Sequence, residues 1–171
     1  LETMRRRPVE ALAAFDQALE LMRRVKGPRD PEIASILSEQ ANLYTWLDDY
    51  ARAEAVARES VGIYESVDVR HPDRVKADFV LAETLLYQGK LAAAAPIYER
   101  TLATQRALLK SNPAVAETMS SLAQVRLAQG NTEAAEKLVR EAIAIHRNAN
   151  STAYAKIGFL QTMLGTVLIR E

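Results

Sequence analysis

His71 and His146 are the only imidazoles in the 171 residues, so any acid–base or metal chemistry would have to start from them. Neither has a second histidine or an acidic pair one helical turn away, the spacing a metal site would need. Serines such as Ser120 and Ser121 have no positioned base. With no cysteine in the chain, thiolate nucleophiles, zinc thiolates and disulfides are all excluded. Gly27, Gly89 and Gly130 stand singly, so no glycine-rich loop can wrap a phosphate. The inventory predicts no enzyme, no cofactor and no metal.

Charge narrows the partners in the same way. Lysine and arginine total 22, aspartate and glutamate total 22, and the formal net charge is zero. A general nucleic-acid or membrane-surface binder needs a basic excess, so neither is an expected direct partner. The one basic run, Arg5-Arg6-Arg7, reads as a solvated helix start or loop and not as a phosphate site. No apolar run approaches the roughly 20 residues of a membrane helix. The lack of cysteine is compatible with the cytoplasm. The chain opens at Leu1 in mid-pattern and is expected to be a piece of something longer.

What remains is a repeated scaffold. Hydrophobic residues make up 49% but aromatics only 6%, and alanine carries much of the difference, which favours helices. The stretch LAQVRLAQGNTEAAEKLVREAI, 122–143, reads as helix, turn, helix. It returns at 81–102 as LAETLLYQGKLAAAAPIYERTL and, more worn, at 40–61. Pro31, Pro72 and Pro113 are spaced 41 and 41 (72 − 31 and 113 − 72), each behind Asp30, His71 or Asn112. A polar residue followed by proline is a helix start, because one caps the free amides and the other lacks an amide to satisfy. Inner turns follow in the same register at Asp48-Asp49, Gly89-Lys90 and Gly130-Asn131, where a left-handed residue is required.

The chain is therefore expected to be one all-α array, residues 1–171, of about eight helices. It comprises an orphan second helix over 8–26, three hairpins over 31–67, 72–110 and 113–148, and an orphan first helix over 151–170. Second helices are expected at 50–67, 91–110 and 132–148. Pro96 should kink the middle one or delay its start. The last helix should carry its apolar stripe on Tyr154, Ile157, Leu160, Leu164 and Leu168. No segment alternates long enough to be a strand.

These repeats resemble the tetratricopeptide repeat, in its longer form of about 42 residues found in kinesin light chains and many bacterial proteins. The signature LAxxxxxQG followed by a packing alanine recurs in register at 81–94 and 122–135, and the resemblance covers nearly the whole chain. The family's small residue of the first helix falls on Ala41, Ala82, Ala123 and, after a one-residue slip, Gly165. Its second-helix alanine falls on Ala11, Ala53, Ala94 and Ala135, and its last small position on Ala18, Ser60, Thr101 and Ala142. The chain departs from the pattern at Asp48, in place of the turn glycine, and at Leu85 and Arg126, in place of an aromatic.

The resemblance implies a right-handed α-solenoid whose first helices line a concave groove holding a peptide or helix of a partner protein. The family's groove positions are Ser35, Ser38, Asn42 and Thr45, then Lys76, Phe79, Glu83 and Leu86, then Glu117, Ser120, Gln124 and Leu127. Phe159, Thr162 and Thr166 would continue the floor, with Trp46 and Tyr87 at its edge. Asn42 and Gln124 are suited to a partner's backbone, and Phe79, Leu86 and Tyr87 to an apolar anchor. Lys76 lacks the partners of the family's carboxylate clamp, so a C-terminal carboxylate is not the expected ligand. The same resemblance carries an alternative: a regulatory or sensor segment of a larger bacterial kinase or transcription regulator. The final helix bears more apolar residues than one buried stripe can use, and a homodimer through it is expected.

Overall fold

The computed structural model describes residues 2–67, 71, 73–109, 112–148 and 154–169, with side chains from Arg7 onward. Pro72, Lys110, Ser151–Ala153 and Arg170, which the expected boundaries include, lie outside the described residues, as do the side chains of Arg5 and Arg6. The described residues form eight helices and no strand. They are α1 (Glu2–Lys26), α2 (Pro31–Trp46), α3 (Tyr50–Val67), α4 (Arg74–Tyr87), α5 (Leu91–Leu109), α6 (Pro113–Ala128), α7 (Thr132–Asn148) and α8 (Tyr154–Ile169). They fall into two compact units, Leu1–Gln88 and Gly89–Glu171. In the first, α2 packs on α1, α3 and α4, and α3 on α4; in the second, α6 packs on α5 and α7, and α7 on α8. No helix among the described residues is long and apolar enough to cross a membrane.

Local chemistry explains the helix starts. Asp30 Oδ1 accepts from Glu32 N–H at 2.9 Å and Asn112 Oδ1 from Ala114 N–H at 2.9 Å, each ahead of a proline at the first helical position. His71 Nδ1 accepts from Asp73 N–H at 3.2 Å, the same contact made by an imidazole. Yet α4 does not begin at residue 72 as expected: it begins at Arg74, behind Asp73, whose side chain makes no capping bond. The His71 ring is stacked on Tyr64 at 4.8 Å, so it is held against α3.

Proline proves milder than its chemistry alone suggests. The first helix is not confined to 8–26 but runs from Glu2 with Pro8 inside it. The later start expected at Pro96 is absent, since α5 runs from Leu91 through it. In both helices the proline falls within the second turn, just past the amides that lack intrahelical partners anyway. Only one backbone bond is given up, and neither helix ends.

The hairpin turns share one construction. Asp48 has φ +59° and Gly130 φ +78°. Asp49 N–H reaches back to the Tyr44 carbonyl at 2.9 Å, and Asn131 N–H to that of Arg126 at 2.9 Å, closing the left-handed helix end. The next side chain starts the following helix: Asp49 Oδ1 accepts from Arg52 N–H, and Asn131 Oδ1 from Ala134 N–H. A Cβ at Gly130 would touch nothing within 4 Å, so the cost of Gly130→Val is purely conformational. A loss of about 1–2 kcal/mol is expected in a denaturant melt, and Gly130→Asn should lose much less.

The core is built on small residues. Ala41, Ala53, Ala82, Ala94, Ala123, Ala135 and Ala142 all have 0% exposure, which lets helix backbones approach closely. Larger side chains fill the space between them, Tyr64 and Leu37 in the first unit and Met119 and Val139 in the second. Gly165, aligned only by a slip, is exposed, and Ala11 and Ala18 are half-buried. The expected stripe of α8 is also corrected. Its buried residues are Leu160, Met163 and Val167, while Tyr154 and Leu168 are exposed and Ile157 and Leu164 half-buried. A 160/163/167 spacing keeps one face toward α7, on which α8 packs.

Candidate functional site

In the first unit the candidate residues lie on the outward faces of α2 and α4. The two helices are joined there by Thr45 Oγ1 and Thr84 Oγ1, 3.0 Å apart, and by an ion pair between Lys76 and Glu39. Asn42, Thr45, Phe79, Glu83 and Leu86 are half-buried, and Ser35 is exposed. Trp46 at 70% and Tyr87 at 56% exposure stand at the helix ends. Tyr87 stacks on Tyr50 with centroids 6.0 Å apart, and burial together with the nearby Glu83 carboxylate pushes its phenol above the usual range.

Ser38 does not join this face. It is 2% exposed, and its hydroxyl lies 2.8 Å from that of Ser60, both within bonding distance of the Ala34 carbonyl. The reason is register. Ser38 stands one turn after Ala34, beside Leu37, on the stripe that α2 turns toward α3. Lys76 is also committed, since its ammonium is held by Glu39.

In the second unit Glu117, Ser120, Gln124 and Leu127 follow one another along α6, all half-buried. Glu117 pairs with Lys156 of α8. Phe159 and Thr162 on α8 are exposed and Thr166 is half-buried. Apart from the Glu117–Lys156 ion pair, the polar residues named here are neutral amide and hydroxyl groups, suited to hydrogen-bonding a partner's backbone. Among the described residues no group of three His, Cys, Asp or Glu could hold a metal ion.

Three participants escape a reading of the sequence. Thr84 and Tyr50 complete the face of the first unit, and only their spacing from Thr45 and from the Asp48-Asp49 turn could suggest them. The third is His146, which by sequence is a residue at a helix end. It is 2% exposed, and among the described residues its Nδ1 has no hydrogen-bond partner. Burial pushes the imidazole below its usual range, Lys156 adds to the shift and Glu117 opposes it. A histidine with a depressed folded pKa contributes stability that is full above the unfolded value of about 6.5 and is lost as pH falls below it. The melting temperature should therefore drop from pH 7.5 to pH 5.5, and drop less in His146→Phe. Equal drops would remove His146 as the cause.

Comparison with known proteins follows from this geometry. A family model described as tetratricopeptide repeat matches residues 1–66 and 73–148. Among solved structures, BtubC (BKLC) from P. vanneervenii is 22% identical with a TM-score of 0.76, covering 84% of this chain and 58% of that one. A Podosopora anserina putative kinesin light chain with nearly identical TPR-like repeats is 20% identical with a TM-score of 0.80, covering 98% and 80%. A Rap protein complexed with Competence and Sporulation Factor is 19% identical with a TM-score of 0.75, covering 97% of this chain and 45% of that one. The chain thus spans little more than half the length of the first and less than half of the third.

Proposed function

Since the chain belongs to the tetratricopeptide repeat family, a fold that serves generally as a protein-interaction scaffold, we propose that its first helices bind a peptide or helical segment of a partner protein. The observation that carries this reading is the α2–α4 face. It presents a half-buried Asn42, a half-buried Phe79 and the open rings of Trp46 and Tyr87 on two helices already fixed to each other. Asn42 offers both a donor and an acceptor to a partner's main chain, while Phe79 and Leu86 offer apolar contact. Aromatic residues on a rigid, partly desolvated support are where binding energy concentrates. Gln124 and Leu127 provide the corresponding polar and apolar pair on α6. That a Rap protein of the same fold is described in complex with a factor supports this kind of partner.

Replacing Asn42, Phe79 and Gln124 together with alanine should weaken capture of the partner by at least tenfold and leave the helical circular dichroism unchanged. None of the three has its side chain fully enclosed. Undiminished capture would rule out these faces.

A second reading rests on α8. Its exposed Tyr154, Phe159, Leu168 and Ile169 leave apolar area uncovered around and along the helix, and we infer that two copies of the chain associate through it.

A further inference from the structure

A cleft of about 340 Å³ lies on the second-helix side of the second unit, between α5 and α7 with α6 beneath. Its floor is apolar: Leu102 and Leu122 are buried, and Leu138 on the α7 wall is half-buried. Its rim is charged. Arg106 of α5 pairs with Glu141 of α7 at 2.7 Å, and Arg126 of α6 pairs with Glu99. Lys137 also lines the cleft and has no ion pair or hydrogen bond among the described residues. Three cations therefore face two carboxylates, and both carboxylates are already taken.

The first unit treats the corresponding place differently. Two periods of 41 residues earlier, Leu122 is replaced by Gln40 and Arg126 by Tyr44. Gln40 Nε2 donates to Asp16 Oδ1 at 2.7 Å, and the Arg52 guanidinium lies over the Tyr44 ring at 4.8 Å. There the chain satisfies its own polar groups. In the second unit the same position holds a leucine floor and an unpaired ammonium.

We propose that this cleft docks a helix of a partner protein carrying one glutamate or aspartate a turn away from a leucine-sized side chain. The volume takes two side chains, not a whole helix, so the partner rests on the rim and inserts both. The aliphatic group packs on the half-buried Leu138, above the buried Leu102 and Leu122, and an apolar occupant there leaves water without leaving a polar atom unpaired. The carboxylate meets Lys137, completing the charge balance of the rim. This is helix-in-groove recognition on the second helices, separate from the first-helix faces proposed above.

The probe is a short alanine- and glutamine-based helical peptide with one leucine and one glutamate a turn apart, titrated into the full chain with labelled leucine methyls. The methyl resonances of Leu102, Leu122 and Leu138 should shift together. Binding should be roughly two- to fivefold weaker when the peptide's glutamate is glutamine, as for a solvent-screened ion pair, and this difference should shrink at high salt. Lys137→Glu should reverse the preference, favouring a peptide with lysine in place of glutamate. Leu122→Gln should abolish the shifts; Leu138→Gln, on the more open wall, repeats the test should the buried change disturb folding. Unmoved methyls, or equal shifts with all three peptides, would overturn the proposal. So would shifts of these methyls on dilution without peptide, which would give the cleft to a second copy. Shifts confined to Leu86 and Leu127 would assign the peptide to the first-helix faces and equally overturn it.

Discussion

Ala135→Leu should lower stability by about 1–3 kcal/mol, a larger effect than Leu→Ala at an exposed site such as Leu21. Ala135 has no exposed surface and lies on the stripe that α7 turns inward with Val139, Ala142 and Ile143. Across the hairpin, Ala123 of α6 has none either. Protein interiors are close-packed, so the added carbon atoms push the backbones apart or force the leucine off its rotamer. Ala94→Leu should behave alike, being equally enclosed. Ala144→Leu is the control on the same helix as Ala135: its side chain is exposed, and leucine is nearly as good a helix former as alanine. Thermal melts of the four variants decide the matter. No loss in Ala135→Leu, with Ala144→Leu unchanged, would mean that Ala135 is not at a helix crossing.

Ala135 is legible from the amino-acid pattern alone, while other positions are not, and the difference has a physical reason. A capping residue, a left-handed turn and an alanine at a crossing are demands of the backbone, met by residues a few positions apart. Asp30-Pro31, Asn112-Pro113 and Gly130-Asn131 therefore announce themselves, and the helices begin and end there. Where the deciding contact comes from a distant element, the sequence is silent. The family pattern assigns Ser38 to the groove, but its register puts it on the stripe that α2 turns toward α3, where Ser60, 22 residues later, meets its hydroxyl. His146 looks like a helix end because nothing nearby in the chain reveals that it is enclosed. The stripe of α8 is hidden for a related reason. With apolar residues on nearly every side, periodicity cannot select the face that meets α7. The same limit governs the candidate faces. Their residue types can be read, but which ones a partner touches depends on a surface the sequence does not contain.

Light scattering at micromolar concentration should give a mass near twice the 19.0 kDa of one chain, and Phe159→Glu should return it to that of a single chain. The expectation comes from α8, which buries Leu160, Met163 and Val167 yet leaves Phe159 53% and Ile169 86% exposed. Apolar area of this kind gains about 25 cal/mol per Å² when it leaves water. In a two-fold contact each copy contributes the same patch, so the area is counted twice. The symmetry also makes one substitution unusually severe. Glutamate at position 159 would bring two carboxylates into the contact, both losing water, while the nearest cation, Lys156 one turn away, is already held by Glu117. An affinity loss on the order of a hundredfold or more follows. Phe159 is a better position than Leu164, which is half-buried and whose loss would also loosen α8 from α7. Phe79→Ala, in the other unit, should leave the dimer intact. A single mass at 19.0 kDa for the unmodified chain would reject self-association, and a dimer that survives Phe159→Glu would place the contact elsewhere.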